Sequence, residues 1–128
     1  MKRIIVAMLA LAVLPASAEC WVVSNLKGST FMKDDGYKRI DDGFSGSFMI
    51  TIDEKNSSVV TNGADAGGMK YIPTSKNTIV GLSQSDSGEA VETWSINNDR
   101  KVLMTKVITG WGGFDSSKAF VGDVVGKC

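Results

Sequence analysis

Cys20 and Cys128 are the only cysteines in a chain of 128 residues, and they stand almost at its two ends. If they pair, the first and last segments of the fold must lie side by side. The residues before Cys20 bear on whether they meet an oxidising compartment. Lys2 and Arg3 precede the apolar run Ile4 to Leu14, Pro15 breaks it, and Ala16-Ser17-Ala18 supplies the small-x-small pattern of a signal-peptidase site. Eleven apolar residues are too few for a membrane-spanning helix, which takes about 20. Residues 1–18 are therefore expected to be a cleaved secretory signal peptide and 19–128 a single domain, exported to the periplasm or beyond. Glu19 stands directly before Cys20, where a lipoprotein signal carries a small residue, so no membrane anchor is expected.

In an exported chain an even number of cysteines reads first as disulfides. A Cys20–Cys128 bridge would close nearly the whole mature chain into a ring. Chain entropy alone then favours the folded state by about 4–5 kcal/mol for a loop of roughly 100 residues. That is comparable with the net stability of a small domain, roughly 5–15 kcal/mol. The rival readings are an intermolecular bridge and a redox pair. The second lacks a Cys-x-x-Cys motif and a histidine to activate a thiol.

Charge and composition narrow the function classes. The chain has no histidine, which removes the commonest general base, the Ser-His and Cys-His pairs and the commonest zinc ligand. No enzyme activity, cofactor or metal is expected. Removing residues 1–18 leaves 110 residues with 12 basic and 14 acidic side chains and no basic run. That balance argues against nucleic acid or an anionic membrane as partner. A protein or a small ligand in the exported compartment is the expected partner.

From Cys20 onward, short β-branched and aromatic runs alternate with turn signals, the pattern of an all-β domain. Trp21–Val23 and Ser29–Lys33 read as two strands. Ser47–Asp53 is the clearest, with Phe48, Ile50 and Ile52 on one face. Val59–Thr61 follows, and Met69–Ile72 stops at Pro73. Thr78–Ser83, Ala90–Ile96 and Val102–Thr109 read as consecutive hairpin strands. Ala119–Val125 closes the chain after a helical turn around Ser116–Lys118. The expectation is an antiparallel meander of about eight short strands. A closed barrel is favoured over a two-sheet sandwich, because a disulfide between the termini suits neighbouring first and last strands. Strands this short also speak against an outer-membrane barrel. Gly81, Gly122 and Gly126 fall inside strand patterns, where bulges or bends are expected. Trp94 shares a face with Ala90, Glu92 and Ile96 and reads as core, or as the wall of a cavity if the barrel holds a ligand.

Two stretches could carry function. Asp34-Asp35-Gly36-Tyr37 recurs as Asp41-Asp42-Gly43-Phe44. Paired aspartates before glycine suggest a calcium loop, but EF-hand spacing is missing, and two successive Asp-Gly turns are the expectation. The loop Gly110–Asp115 sets Trp111 and Phe114 among glycines. Large aromatics there form either a binding surface with Asp115 or a plug for one end of the barrel.

Gly67-Gly68-Met69-Lys70-Tyr71 resembles the Ser-Gly-x-x-Tyr loop with which periplasmic inhibitors of c-type lysozyme enter the lysozyme cleft. The resemblance covers five residues, and Gly67 stands where that family has serine. It implies Tyr71 as a contact residue and a secreted hydrolase as the target. The leading expectation is a small exported, non-catalytic binding module acting through Trp111, Phe114 and Asp115. A hydrolase inhibitor acting through Ala64–Tyr71 and a lipocalin-like ligand carrier are the alternatives.

Overall fold

The computed structural model describes residues 18–61, 64–65 and 68–128. The expected signal peptide, up to residue 17, and Gly67 of the lysozyme-inhibitor-like segment lie outside the described residues. The strands are β1 (Glu19–Met32), β2 (Arg39–Ile52), β3 (Ser58–Thr61), β4 (Ala64–Asp65), β5 (Lys70–Ser75), β6 (Thr78–Gln84), β7 (Glu89–Ile96), β8 (Lys101–Thr109) and β9 (Ser116–Lys127). Among the described residues they form one antiparallel sheet in the order β4-β3-β2-β1-β9-β8-β7-β6-β5. Among the described residues each strand pairs with its chain neighbours except β4 and β5, the two ends of the sheet, and β1 pairs with β9. A bridge joins Ser57 and Tyr71. The meander is a nearly closed barrel.

The disulfide joins Cys20 to Cys128 with their Cα atoms 5.3 Å apart. Beside it the Cys128 N–H donates to the Cys20 carbonyl at 3.1 Å, extending the β1–β9 ladder. The barrel therefore has a disulfide end and, opposite it, a loop end formed by segments 33–38, 85–88 and 110–115.

Period-2 alternation sends one face of the longer strands inward. Val23, Leu26, Ile50, Ile52, Val59, Ile79, Trp94, Ile96, Val102, Met104, Phe120 and Val124 form a single buried cluster. Trp94 is 2% exposed and packs against Phe48 with ring centroids 5.5 Å apart. It is core, as its position on β7 led us to expect. Each such aliphatic side chain contributes roughly 1.5–3 kcal/mol by leaving water.

Several local expectations are corrected. Trp21–Val23 and Ser29–Lys33 belong to one 14-residue strand, β1. Its polar middle is absorbed by a bulge at Asn25, where φ is +58° and the register shifts between Ser24 and Leu26. Of the two Asp-Gly pairs, only the first turns the chain, with Gly36 in the left-handed region at φ +63°. The second runs through β2, also 14 residues long. Gly43 serves close approach there, since a Cβ would meet the Leu26 carbonyl oxygen at 2.7 Å. Because Asp41 and Asp42 point to opposite faces of β2, they cannot share one calcium ion.

The helical turn before the last strand falls at Gly112–Phe114, and Ser116 already belongs to β9. Pro73 does not end β5, which continues to Ser75. Gly81 marks no bulge: the β6–β7 register runs through it unbroken. Its missing side chain makes room for the Tyr71 ring, which a Cβ would meet at 2.5 Å. With β1, β2 and β9 at 14, 14 and 12 residues, strand shortness does not separate this barrel from an outer-membrane one. No described helix is long and apolar enough to cross a membrane.

Candidate functional site

At the loop end, the glycines of segment 110–115 allow a tight excursion between β8 and β9, with φ values of +82° at Gly110 and +62° at Gly112. The excursion is braced from within and from outside. The Asp115 carboxylate accepts the Trp111 N–H at 2.7 Å. The Asp115 carbonyl accepts the Lys33 N–H at 2.9 Å, tying the segment to the β1–β2 turn. Gly113 lies beside the Asp34 carboxylate, which would have to swing away to admit a side chain there.

This frame separates the two rings that the sequence groups together. Trp111 is half-buried, whereas Phe114 is 67% exposed. Asp115 is a bracing residue, half-buried and already bonded. The same end carries an aromatic ring that sequence reasoning missed. Tyr37 is 57% exposed and sits at φ +59°, a region that costs a bulky residue on the order of 1 kcal/mol or more. Its N–H is held by the Met32 carbonyl at 2.9 Å. The available signal was an aromatic residue directly after Asp-Asp-Gly, where the chain leaves the turn.

The second concentration of chemistry lies inside the barrel, toward the loop end. Glu92 is 3% exposed on the inward face of β7, between Ala90 and Trp94. Its carboxylate accepts the Tyr71 hydroxyl at 2.8 Å and the Trp94 indole N–H. It also pairs with the Lys106 ammonium at 3.2 Å. Lys106 on β8 lies opposite Lys118 on β9, so the two project inward side by side. Lys118 reaches Asp42 of β2 at 3.9 Å. Asp42 accepts the Thr30 hydroxyl at 2.7 Å and the Gly43 N–H at 2.8 Å. The Thr30 hydrogen bond chiefly holds the Asp42 carboxyl below its usual range, with Gly43 and Lys118 adding to it and burial opposing.

A girdle of polar groups thus crosses the barrel interior above its apolar floor. Tyr71 belongs to this girdle, with its hydroxyl turned inward. The sequence carried a signal for Glu92, Lys106 and Lys118, since all three fall on the apolar face of their strands by alternation. Among the described residues, no three His, Cys, Asp or Glu side chains gather to hold a metal.

The chain was compared with family models, curated proteins and solved structures, and none of the three gives a match.

Proposed function

We propose that this protein is a small exported binding module that catalyses no reaction and engages its partner through the loop end. Phe114 carries the proposal. A phenyl ring 67% exposed on a segment fixed by Asp115 and Lys33 presents apolar surface at little entropic cost. Tyr37, held in a strained conformation at the same end, adds a second ring and fits the tendency of strain to collect at functional positions. Export rests on residues 1–18 and on a disulfide that suits an oxidising compartment.

The test is capture of partners from the exported compartment with wild-type protein and with Phe114→Ala and Tyr37→Ala variants. A partner held by the wild type and released by both variants, at unchanged melting temperature, supports the proposal. Equal capture by all three overturns it. Inhibition of a secreted hydrolase such as lysozyme is a narrower form of the same reading. It is supported by the resemblance of residues 67–71 to the contact loop of the lysozyme inhibitors. Undiminished lysis at micromolar protein removes that form.

A further inference from the structure

One inward group on β9 lacks the hydrogen bond that its burial demands, and a second, beside it, has an ion-pair partner but no close acceptor. Lys118 is 19% exposed in its side chain, and its nearest carboxylate oxygen, on Asp42, is 3.9 Å away, beyond hydrogen-bond reach. Among the described residues, no acceptor meets any of its three N–H donors. Ser116, two residues earlier on the same face and 6% exposed, has a buried hydroxyl with no partner at all. Leaving the buried Ser116 hydroxyl unpaired costs about 1–3 kcal/mol.

Beside them runs the most open part of the wall. Among the described residues, positions 39–46 of β2 pair only with β1. Phe44 therefore keeps an exposed ring although it faces inward, where it stacks on Phe120 with centroids 5.2 Å apart. Cationic and hydroxyl donors on one side and the exposed Phe44 ring on the other make a two-part complement.

We propose that the loop-end half of the barrel interior binds a small carboxylate with an apolar tail. Its carboxylate accepts hydrogen bonds from Lys118 and Ser116, with Lys106 alongside, and its tail lies on Phe44. An anionic head is favoured over a neutral one because Asp42 is already occupied by Thr30 and Gly43, which leaves the Lys118 ammonium short of acceptors. This site is separate from the Phe114 surface, and either stands without the other.

The test is an amide and indole NMR titration of the oxidised protein with octanoate and, in parallel, octanol. Octanoate should give saturable shifts at Ser116, Lys118 and Thr30, and at the Trp94 indole N–H that reports through Glu92. Octanol should bind at least about tenfold more weakly, the scale of one lost charge-assisted hydrogen bond. Lys118→Met should weaken octanoate by a similar factor, and Lys27→Met, on the outer face, should leave it unchanged. Equal affinity for octanoate and octanol, shifts spread over outer-face lysines, or no saturation at millimolar octanoate would overturn the site. The wild-type comparison decides even if Lys118→Met does not fold.

Discussion

Toward the disulfide end, the inward positions of β7 and β8 carry Trp94, Ile96, Val102 and Met104, all buried and apolar. Toward the loop end, the next inward positions of the same two strands carry Glu92 and Lys106, paired at 3.2 Å. The first half is closed by a covalent bond and packed side chains. The second is held by directional polar contacts beside a stretch of β2 that, among the described residues, pairs with a strand on one side only. One barrel thus divides the work between its two ends. Apolar packing makes the disulfide half stable without demanding exact partners. Polar contacts make the loop-end half specific, because each group there must find its complement.

The contrast breaks most readily in the apolar half. Trp94→Ala should lower the unfolding free energy by about 3–5 kcal/mol through the cavity it leaves, measured by denaturant titration. Replacing both Cys20 and Cys128 with alanine should cost about 2–5 kcal/mol and remove the difference between reduced and oxidised melts. In the polar half, Glu92→Leu alone should cost about 1–3 kcal/mol, since Tyr71 and Lys106 lose their acceptor. Pairing it with Lys106→Met should recover most of that loss. If the double variant is no more stable than the single one, the girdle is more than an ion pair that apolar residues could replace.

The smallest effect is in pH. Because the folded Asp42 carboxyl lies below its ordinary value, its contribution is complete above about pH 4. It is lost as pH falls through the lower folded value. Melting temperatures taken from pH 5 to pH 2 should fall more steeply for the wild type than for Asp42→Asn. Parallel curves would remove Asp42 from the girdle's energetics.

The apolar half was legible in the sequence and the polar half was not. Hairpin strands β6 to β8, the burial of Trp94 and the joining of Cys20 to Cys128 follow from alternation, turn residues and cysteine count, all local or nearly so. The continuity of β1 across Asn25 and of β2 across Asp42-Gly43 depends on a partner strand far along the chain. Pairing with that strand overrides local turn chemistry. The charged girdle was hidden for a related reason. Glu92 on an apolar face looks like an interruption until Tyr71 and Lys106, from two other strands, are seen to meet it. Phe114 was readable as a candidate, but its parting from Trp111 was not, because the brace comes from Lys33 on another turn.

The neighbouring of β1 and β9 also bears on how the chain finds this fold. Its ladder pairs Trp21 with Lys127, so the barrel cannot close until the last strand is available. Contacts between residues so far apart in sequence are slow to form, because loop-closure entropy must be met before the pairing yields any stabilisation. Oxidation changes that geometry. Once Cys20 and Cys128 are joined, the longest-range ladder in the molecule starts next to a covalent link and can zip from it like a hairpin. The bond acts on the folding rate as well as on the depth of the folded state.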